Sequence, residues 1–331
     1  MQFGKVLISA SLAFFMSIAV AYLIETFGGA VGSVIGTIPS TILPAAYILM
    51  TEESKTIEQR TESLLACVFG VFATNIFFMP CWKLIPPKLP KTWSNKKMVL
   101  VTSFFSLLVW FIVALAATYL QSFVKGYGFS MWAFSLLVMC FMSICGLILC
   151  WRLPPTPAGK NKVKWYINLI RGCGTFVVMF ISGVLSQTDA GAVAGTLTTF
   201  PAVFLTTMVS VSLAQGADVV TGAIGPLMIG GMSTGWFSPV AAACFSVLHL
   251  HAFWCCLIGF VVPILFWSIP VYNYVRWRRD ATALKTKRMV EEAAAEAEQE
   301  IEMKEVKPEV DSANENKVSE TAVVIAPSPS S

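Results

Sequence analysis

Charge is scarce in this sequence: only 13% of its 331 residues are Asp, Glu, Lys or Arg, whereas 56% are hydrophobic. The mean hydropathy of +0.71 is far above that of soluble globular domains. Such a chain does not have enough polar side chains to cover a surface in water. Histidine is scarce too, with 2 residues, and there is no P-loop, dinucleotide-binding glycine fingerprint or nucleophile elbow. We therefore expect an integral membrane protein without enzymatic activity or a cofactor.

The sequence contains long apolar runs that could span a membrane. A transmembrane helix needs about 20 mainly apolar residues to cross about 30 Å of hydrocarbon. Nine runs meet this requirement, namely residues 6 to 25, 28 to 50, 63 to 82, 98 to 120, 128 to 151, 165 to 187, 190 to 213, 219 to 248 and 252 to 275. The predicted fold is an all-α, polytopic transmembrane helical bundle of about nine spans. The eighth run is long and rich in Gly and Pro, so ten spans is the alternative.

The positive residues lie mostly on one side of these spans. With nine spans, one face receives 15 Lys or Arg, from loops 83 to 97 and 152 to 164 and from the segment after the last span, and the other face receives 4. Lys and Arg are retained in the cytosol during insertion, so we predict an outside or lumenal N-terminus and a cytosolic C-terminus. The plasma membrane and the endomembranes remain alternatives. Ala19-Val20-Ala21 also resembles a signal-peptide cleavage site, which leaves removal of the first 21 residues open.

The composition changes after the last span, where residues 276 to 331 hold 12 Asp or Glu against 9 Lys or Arg. We expect anionic cytoplasmic lipids to bind the basic residues that open this segment, which are Arg276, Arg278, Arg279, Lys285, Lys287 and Arg288. The predicted organisation is a first transmembrane repeat of five spans (1 to 151), a basic cytosolic linker (152 to 164), a second repeat of four spans (165 to 275), a basic then acidic juxtamembrane helix (276 to 305) and a disordered tail (306 to 331). Nucleic acid is not an expected partner, because the basic residues flank membrane spans.

A self-match at an offset of 162 residues suggests that the two halves are related. TFGGAVGSVIGTIP (26 to 39) aligns with TDAGAVAGTLTTFP (188 to 201), with six of fourteen positions identical. Each copy opens the second span of its half, and five spans separate the copies. An odd number of spans reverses the direction of the second copy, so we predict two inverted repeats, which are typical of secondary transporters.

Both copies end in a proline near the middle of a span. Proline has no amide hydrogen and its ring clashes with the carbonyl four residues earlier, so we expect both helices to be broken there. The freed carbonyls need partners in hydrocarbon, and hydroxyls lie close by. The predicted solute-binding residues are Thr37, Pro39, Ser40, Thr41, Thr198, Thr199 and Pro201. The alternative is that these hydroxyls bond only to their own helices.

A few other polar residues lie in or near the spans. Asn75 and Arg171 are further candidates for solute binding, although Asn75 also suits a helix–helix hydrogen bond and Arg171 also suits snorkelling to the cytoplasmic surface. Glu25, Asp189 and Asp218 are candidates for gating or coupling, with solvation in short loops as the alternative. No carboxylate falls at the middle of a span, so no coupling ion is predicted.

Residues 183 to 231, GVLSQTDAGAVAGTLTTFPAVFLTTMVSVSLAQGADVVTGAIGPLMIGG, resemble the C-terminal half of a poorly characterised family of eukaryotic multi-span membrane proteins, mainly through FPAVFLTTMVS. The small-residue run and the Phe-Pro that follows it are more distantly similar to bacterial four-span membrane proteins of the glycerol-metabolism type. The architecture alone resembles the drug/metabolite transporter superfamily. These resemblances imply transport, but they carry over no site residues.

We therefore predict a transporter or facilitator of a small polar or weakly anionic solute, bound near the membrane midplane between Pro-broken helices two and seven. One alternative is a non-transporting scaffold or adaptor whose cytosolic tail recruits partners. A second is a transition-metal transporter that uses soft ligands, for which the candidates are Met139, Cys140, Met142, Cys145, Cys150, His249, His251, Cys255 and Cys256. The usual paired-cysteine and His-Glu-x-x-His spacings are missing, so we expect no metal site.

Overall fold

The computed structural model describes residues 3–27, 38–39, 42–151, 165–185 and 191–321, and across these residues it contains helices, turns and loops but no strand. Four helices there are long and apolar enough to cross a membrane, namely Ile57–Lys88, Asn95–Gly126, Met131–Leu149 and Ala252–Gln299. The chain is thus an all-helical membrane protein. Most of the first repeat copy, residues 28–37, lies outside the described residues, so nine spans remains a prediction.

The helices follow one another with short connections. In chain order they are α1 (Phe3–Phe27), α2 (Ile42–Thr51), α3 (Ile57–Phe72), α4 (Met79–Leu84), α5 (Asn95–Gly126), α6 (Met131–Leu149), α7 (Trp165–Leu185), α8 (Gly191–Leu197), α9 (Ala202–Gln215), α10 (Ala217–Ser246), α11 (Ala252–Pro263) and α12 (Ile269–Thr321). The π-helical segments Ala73–Phe78 and Ile264–Ser268 join α3 to α4 and α11 to α12 without a break in the helix.

Each π-helical segment ends two residues before a proline. The amide of Met79, which precedes Pro80, donates to the Thr74 carbonyl five residues back, and the amide of Ile269 donates to Ile264 in the same way before Pro270. Proline clashes with the carbonyl four residues earlier in a regular α-helix. A wider turn relieves that clash and keeps the helix continuous.

Helices α3 and α10 form the centre of the transmembrane unit. The largest core cluster joins Leu64, Leu65 and Phe69 of α3 to Phe237 and Ala241 of α10. Helices α5 and α6 instead leave most of their large apolar side chains exposed, as lipid-facing helices do. Helix α10 is continuous for 30 residues with both of its prolines inside it, so the eighth apolar run is one helix and not two shorter pieces.

Contacts near the helix ends separate two faces of the bundle. Lys5 of α1 lies 3.8 Å from Glu53, and Lys125 at the end of α5 lies 2.7 Å from Glu62 of α3. We call this end, with its loops at residues 52–56 and 127–130, the acidic face. At the other end, the side-chain amide Nδ2 of Asn95 donates to the Ser212 carbonyl at 3.0 Å. The arrangement agrees with the predicted sorting of the loops onto two faces, whereas the cellular orientation stays a prediction.

The C-terminal segment differs from the expectation that disorder begins near residue 306. The chain divides into two compact units, Met1–Arg279 and Asp280–Ser331, and α12 continues as helix to Thr321 within the second unit. Glu, Lys and Ala dominate this sequence, and all three are strong helix formers. The ion pair between Lys287 and Glu291, at 3.6 Å and four residues apart, has the spacing that supports an isolated helix. Residues 322–331 lie outside the described part of the chain.

Close contact between α3 and α8 depends on Gly70, and this gives a first prediction. A Cβ atom on Gly70 would overlap both Thr199 Oγ1 and the Thr196 carbonyl. We expect Gly70→Ala to destabilise the protein by about 1 to 3 kcal/mol, the usual cost of overpacking. The matched control is Gly174→Ala on α7, where a Cβ meets nothing within 4 Å. Thermal unfolding of the purified protein in detergent would show whether only the first variant melts earlier; equal midpoints would contradict the close approach.

Candidate functional site

The seventh apolar run is two helices with a break between them. Helix α8 ends at Leu197 and α9 begins at Ala202, directly after Pro201. In a continuous helix the Leu197 carbonyl would accept from residue 201, but proline has no amide hydrogen. The Phe200 amide donates to Leu197 instead, at 3.0 Å. The helix break expected at Pro201 is thus confirmed.

Threonine hydroxyls satisfy the carbonyls that this break frees. Thr198 Oγ1 donates to the Gly195 carbonyl at 2.6 Å, and Thr199 Oγ1 donates to the Thr196 carbonyl at 2.8 Å. These bonds replace the missing turn of helix, because a buried backbone carbonyl without a partner is costly in a membrane. At this position the hydroxyls therefore bond to their own chain, as the alternative interpretation of the sequence expected.

Helix α3, the π-helical segment after it and helix α5 contact the break through a second set of polar groups. The indole Nε1 of Trp110 donates to Thr74 Oγ1 at 2.9 Å, and Thr74 Oγ1 lies 2.9 Å from the Gly70 carbonyl and 3.4 Å from the Thr199 carbonyl. About two turns away, Cys67 Sγ lies 3.2 Å from Thr198 Oγ1. We call Cys67, Thr74, Trp110, Thr198 and Thr199 the midplane cluster. It joins three helices through polar contacts inside an apolar bundle.

The cluster lies near the middle of the long helices that contribute to it. Helix α5 has 32 residues from Asn95 to Gly126, and Trp110 lies at its centre. The continuous helix Ile57–Lys88 also has 32 residues, and Thr74 lies two residues past its centre. At about 1.5 Å per residue, each end of either helix is more than about 20 Å away. The break therefore lies as far from both faces as these helices allow.

Asn75 follows Thr74 in the π-helical segment Ala73–Phe78 and faces α10. Its side chain is 1% exposed, and Oδ1 has no hydrogen-bond partner among the described residues. Its Nδ2 lies 3.8 Å from Met232 Sδ, and Oδ1 would be 2.8 Å from a Cβ on Gly231. A buried amide oxygen without a partner costs about 1 to 3 kcal/mol. Such an atom at mid-helix is an available acceptor for a solute or a water molecule.

Arg171 lies inside the bundle. The side chain is 3% exposed, and its Nε donates to Thr206 Oγ1 at 3.1 Å. Thr206 Oγ1 in turn donates to the Ala202 carbonyl at 2.9 Å, in the first turn after the break. The guanidinium group is therefore linked to α9, and the snorkelling interpretation does not describe its position. A buried guanidinium in a membrane bundle marks a functional-site candidate.

The other predicted site residues are only partly described. Pro39 is buried. Thr37, Ser40, Thr41 and Asp189 lie outside the described residues, as do the side chains of Glu25 and Asp218. Of the predicted set, the structure thus brings Thr198, Thr199 and Pro201 together and places Asn75 facing α10. Whether the first repeat copy contributes to the same site stays a prediction.

Sequence reasoning missed Thr74 and Trp110, which complete the cluster. The signal for Thr74 was its position six residues before Pro80, where a disturbed helix was to be expected. Nothing in the sequence around Trp110 marks it as a site residue, because a tryptophan in an apolar run usually packs into the hydrophobic core. Its role depends on the pairing of α5 with α3, which the sequence does not give.

The space beside the break is small. The cavity that borders Thr198 and is also lined by Ser9, Met179 and Gly183 has a volume of about 10 Å³. That is close to the minimum for one water molecule. The described residues around Thr198 thus form a closed arrangement, and a larger solute requires the helices to separate.

The structure also locates the soft ligands proposed for a transition metal. Across the described residues no group of three or more His, Cys, Asp or Glu side chains is arranged to hold a metal ion. All nine cysteines are free thiols, and Cys140 is exposed while Cys150 is buried. His251 caps α11 by accepting a hydrogen bond from the Phe253 amide at 3.3 Å. Nothing in this part of the chain favours the metal alternative.

Comparison with known proteins finds no relative. No protein-family model matches the chain, and no curated protein or solved structure matches it significantly. The resemblances suggested by the sequence therefore stay predictions, and the function of the protein is inferred from the geometry of this chain.

The Trp110–Thr74 hydrogen bond at the centre of the cluster is testable by a double-mutant cycle. We expect Trp110→Phe and Thr74→Val to show a coupling of about 1 kcal/mol, the net value of a buried hydrogen bond. The measurement is the unfolding free energy of the two single variants and the double variant in detergent. The control cycle replaces Thr74→Val by Thr102→Val, whose buried Oγ1 has no hydrogen-bond partner among the described residues. Additive effects in the first cycle would refute the bond.

Proposed function

We propose that this protein is a transporter or facilitator of a small polar or weakly anionic solute, which it binds near the membrane midplane between Pro-broken helices two and seven. The observation that carries the proposal is the hydroxyl-rich helix break at residues 198–201, which lies against Thr74 and Trp110 near the middle of their helices, a level that we take to be mid-bilayer. Interrupted helices at this depth supply polar backbone and side-chain groups where lipid supplies none. The proposed orientation has the N-terminus outside or in a lumen and the C-terminus in the cytosol.

The helix bounds support two repeats at an offset of 162. Shifted by this offset, α2 covers residues 204–213, which fall inside α9 (Ala202–Gln215). Helices α3 and α4, from Ile57 to Leu84, shift to residues 219–246, which fall inside α10 (Ala217–Ser246). The offset of 162 therefore also relates helices that lie outside the matched stretches 26–39 and 188–201, although these helices share little sequence identity.

The crossings of equivalent helices support an inverted relation. Helices α1 and α7 run antiparallel, because Gly183 near the end of α7 packs against Val6 near the start of α1, while Thr175 Oγ1 donates to Ser17 Oγ at 3.1 Å. Helices α3 and α10 also cross near their centres, where a Cβ on Gly235 would lie 3.5 Å from Val71. Equivalent helices that meet each other at their middles are expected when an axis in the membrane plane relates two halves.

Two buried polar groups favour a solute that donates hydrogen bonds or carries partial negative charge. Asn75 Oδ1, which faces α10, is an acceptor without a partner among the described residues, and Arg171 places a cationic group one turn from the break. A neutral or weakly anionic solute with hydroxyl or amide groups is compatible with both. Because the space at Thr198 is closed, binding requires that α8 and α9 move relative to α3.

Transport is tested by reswelling of vesicles that contain the purified protein, after an osmotic step with glycerol, urea or acetate. We expect at least one solute to enter faster than in protein-free vesicles, and Thr199→Val to lower that rate at least about threefold by removing a carbonyl partner at the break. The matched control is Thr102→Val, the same change at a buried hydroxyl remote from the break. Parent rates equal to those of empty vesicles for every solute, or unchanged rates in Thr199→Val, would count against the proposal.

The alternative is a scaffold or adaptor whose cytosolic tail recruits partners. The observation that favours it is the separate unit Asp280–Ser331, which continues as helix beyond the bundle. The proposal of anionic lipid binding also applies to the basic residues of this region, except that Arg278 is engaged within the bundle. Its guanidinium lies 4.0 Å from the Trp151 ring and donates to the Trp151 carbonyl.

Removal of residues 290–331 separates the two functions. Because the second unit has its own contacts, we expect the truncated protein to keep the flux of the parent within about twofold and to keep its unfolding midpoint. Flux in the same vesicle assay and thermal unfolding are the measurements. Loss of flux with an unchanged midpoint would show that the tail belongs to the transport machinery.

A further inference from the structure

A second polar site lies on the acidic face, away from the midplane cluster. An open cavity of about 580 Å³ lies between the start of α3 and the hairpin of α5 and α6. This volume is within the range of small-molecule sites, about 300 to 1,000 Å³. Its walls combine charged, aromatic and apolar side chains, including Glu58, Glu62, Leu65, Lys125, Phe129 and Trp132.

The charges of the lining leave one carboxylate free. Lys125 Nζ lies 2.7 Å from Glu62, so these two charges neutralise each other. Glu58 is one turn from Glu62 on the same side of α3, and no described residue forms an ion pair or hydrogen bond with it. The neighbouring Arg60 is directed elsewhere, toward the carbonyls of Lys55 and Met50 at 2.9 and 3.1 Å. The lining thus carries one net negative charge, which repels an anion and attracts a cation.

The aromatic side chains provide the second half of a cation site. Phe129 is 52% exposed and lines the cavity together with Trp132. The faces of aromatic rings attract organic cations, and quaternary ammonium groups are commonly bound between rings and a carboxylate. Leu65 and Met131 supply apolar surface that suits the methyl groups of such a ligand.

We propose that this cavity binds a small organic ammonium ion, through the Glu58 carboxylate and the rings of Trp132 and Phe129. The Glu62–Lys125 pair forms one wall of the site and lowers its negative charge. The site is separate from the midplane cluster, so it exists whether or not the protein transports a solute.

The test uses the full-length protein in detergent and choline as the probe, with binding measured by equilibrium dialysis. The neutral isostere 3,3-dimethylbutan-1-ol and acetate are the comparison probes. We expect saturable binding of choline and much weaker binding of the other two. Equal binding of the neutral isostere would show an apolar pocket, and preferred binding of acetate would show an anion site at Lys125. Lack of saturable choline binding would show that the cavity is not a cation site. Each of these results overturns the proposal.

Three variants localise the site. Glu58→Gln removes the free carboxylate and is expected to weaken choline binding about fivefold, the upper end for an exposed ion pair. Lys125→Gln releases Glu62 and is expected to strengthen it, since the lining then carries two negative charges. Glu53→Gln makes the same charge change on the same face but outside the cavity, and should leave binding unchanged. Equal losses in Glu58→Gln and Glu53→Gln would show a general surface potential and refute the site. Because binding is measured without flux, failure here is distinct from failure of the proposed transport.

Discussion

The requirement that backbone amides and carbonyls find partners in the absence of water governs the centre of this bundle. Three prolines disturb the helical ladder, and they do so in two ways. Before Pro80 and Pro270 the helix widens by one residue and stays continuous. Before Pro201 the helix ends: the Phe200 amide donates to the Leu197 carbonyl, and the Thr198 and Thr199 hydroxyls donate to the Gly195 and Thr196 carbonyls. Proline therefore has two outcomes at these positions, and only the second interrupts the helix.

The difference between these outcomes follows from the neighbours of each proline. The segment before Pro201 contains Gly195 and a run of threonines, which let α8 approach the backbone of α3 and carry hydroxyls in their side chains. The segments before Pro80 and Pro270 are mainly bulky and apolar, apart from Thr74, Asn75 and Ser268, and a widened turn carries the helix past each proline. The polar break is also held weakly, because each hydrogen bond to a hydroxyl contributes only about 1 kcal/mol net. A helix held in this way rearranges at lower cost than a continuous one.

The sequence predicts the class of the protein well, and predicts the site in part. Apolar runs and a proline near mid-span are local properties, so the helical bundle and the break at Pro201 follow from them. The contacts of Arg171 do not follow, because its seven-residue distance from Lys164 suggested an exit to the surface, whereas Thr206 of another helix holds it inside. The role of Trp110 is similarly hidden, since it depends on which helix lies beside α5. Helix in residues 306–321 was missed because Pro, Ser and Asn suggested disorder, while the Glu and Lys among them favour helix.

Helix α10 shows why hydropathy alone gives an incomplete count of spans. It has 30 residues and lies at the centre of the bundle, yet it is not among the four described helices that are apolar enough to stand out. Five glycines, together with serines and threonines, lower its hydropathy. A helix enclosed by other helices does not face lipid, so it tolerates small and polar residues that a lipid-facing helix does not. Those same residues allow Asn75 to lie against Gly231 and Met139 against Gly235. Within the bundle, a long helix of modest hydropathy is therefore one around which others are arranged.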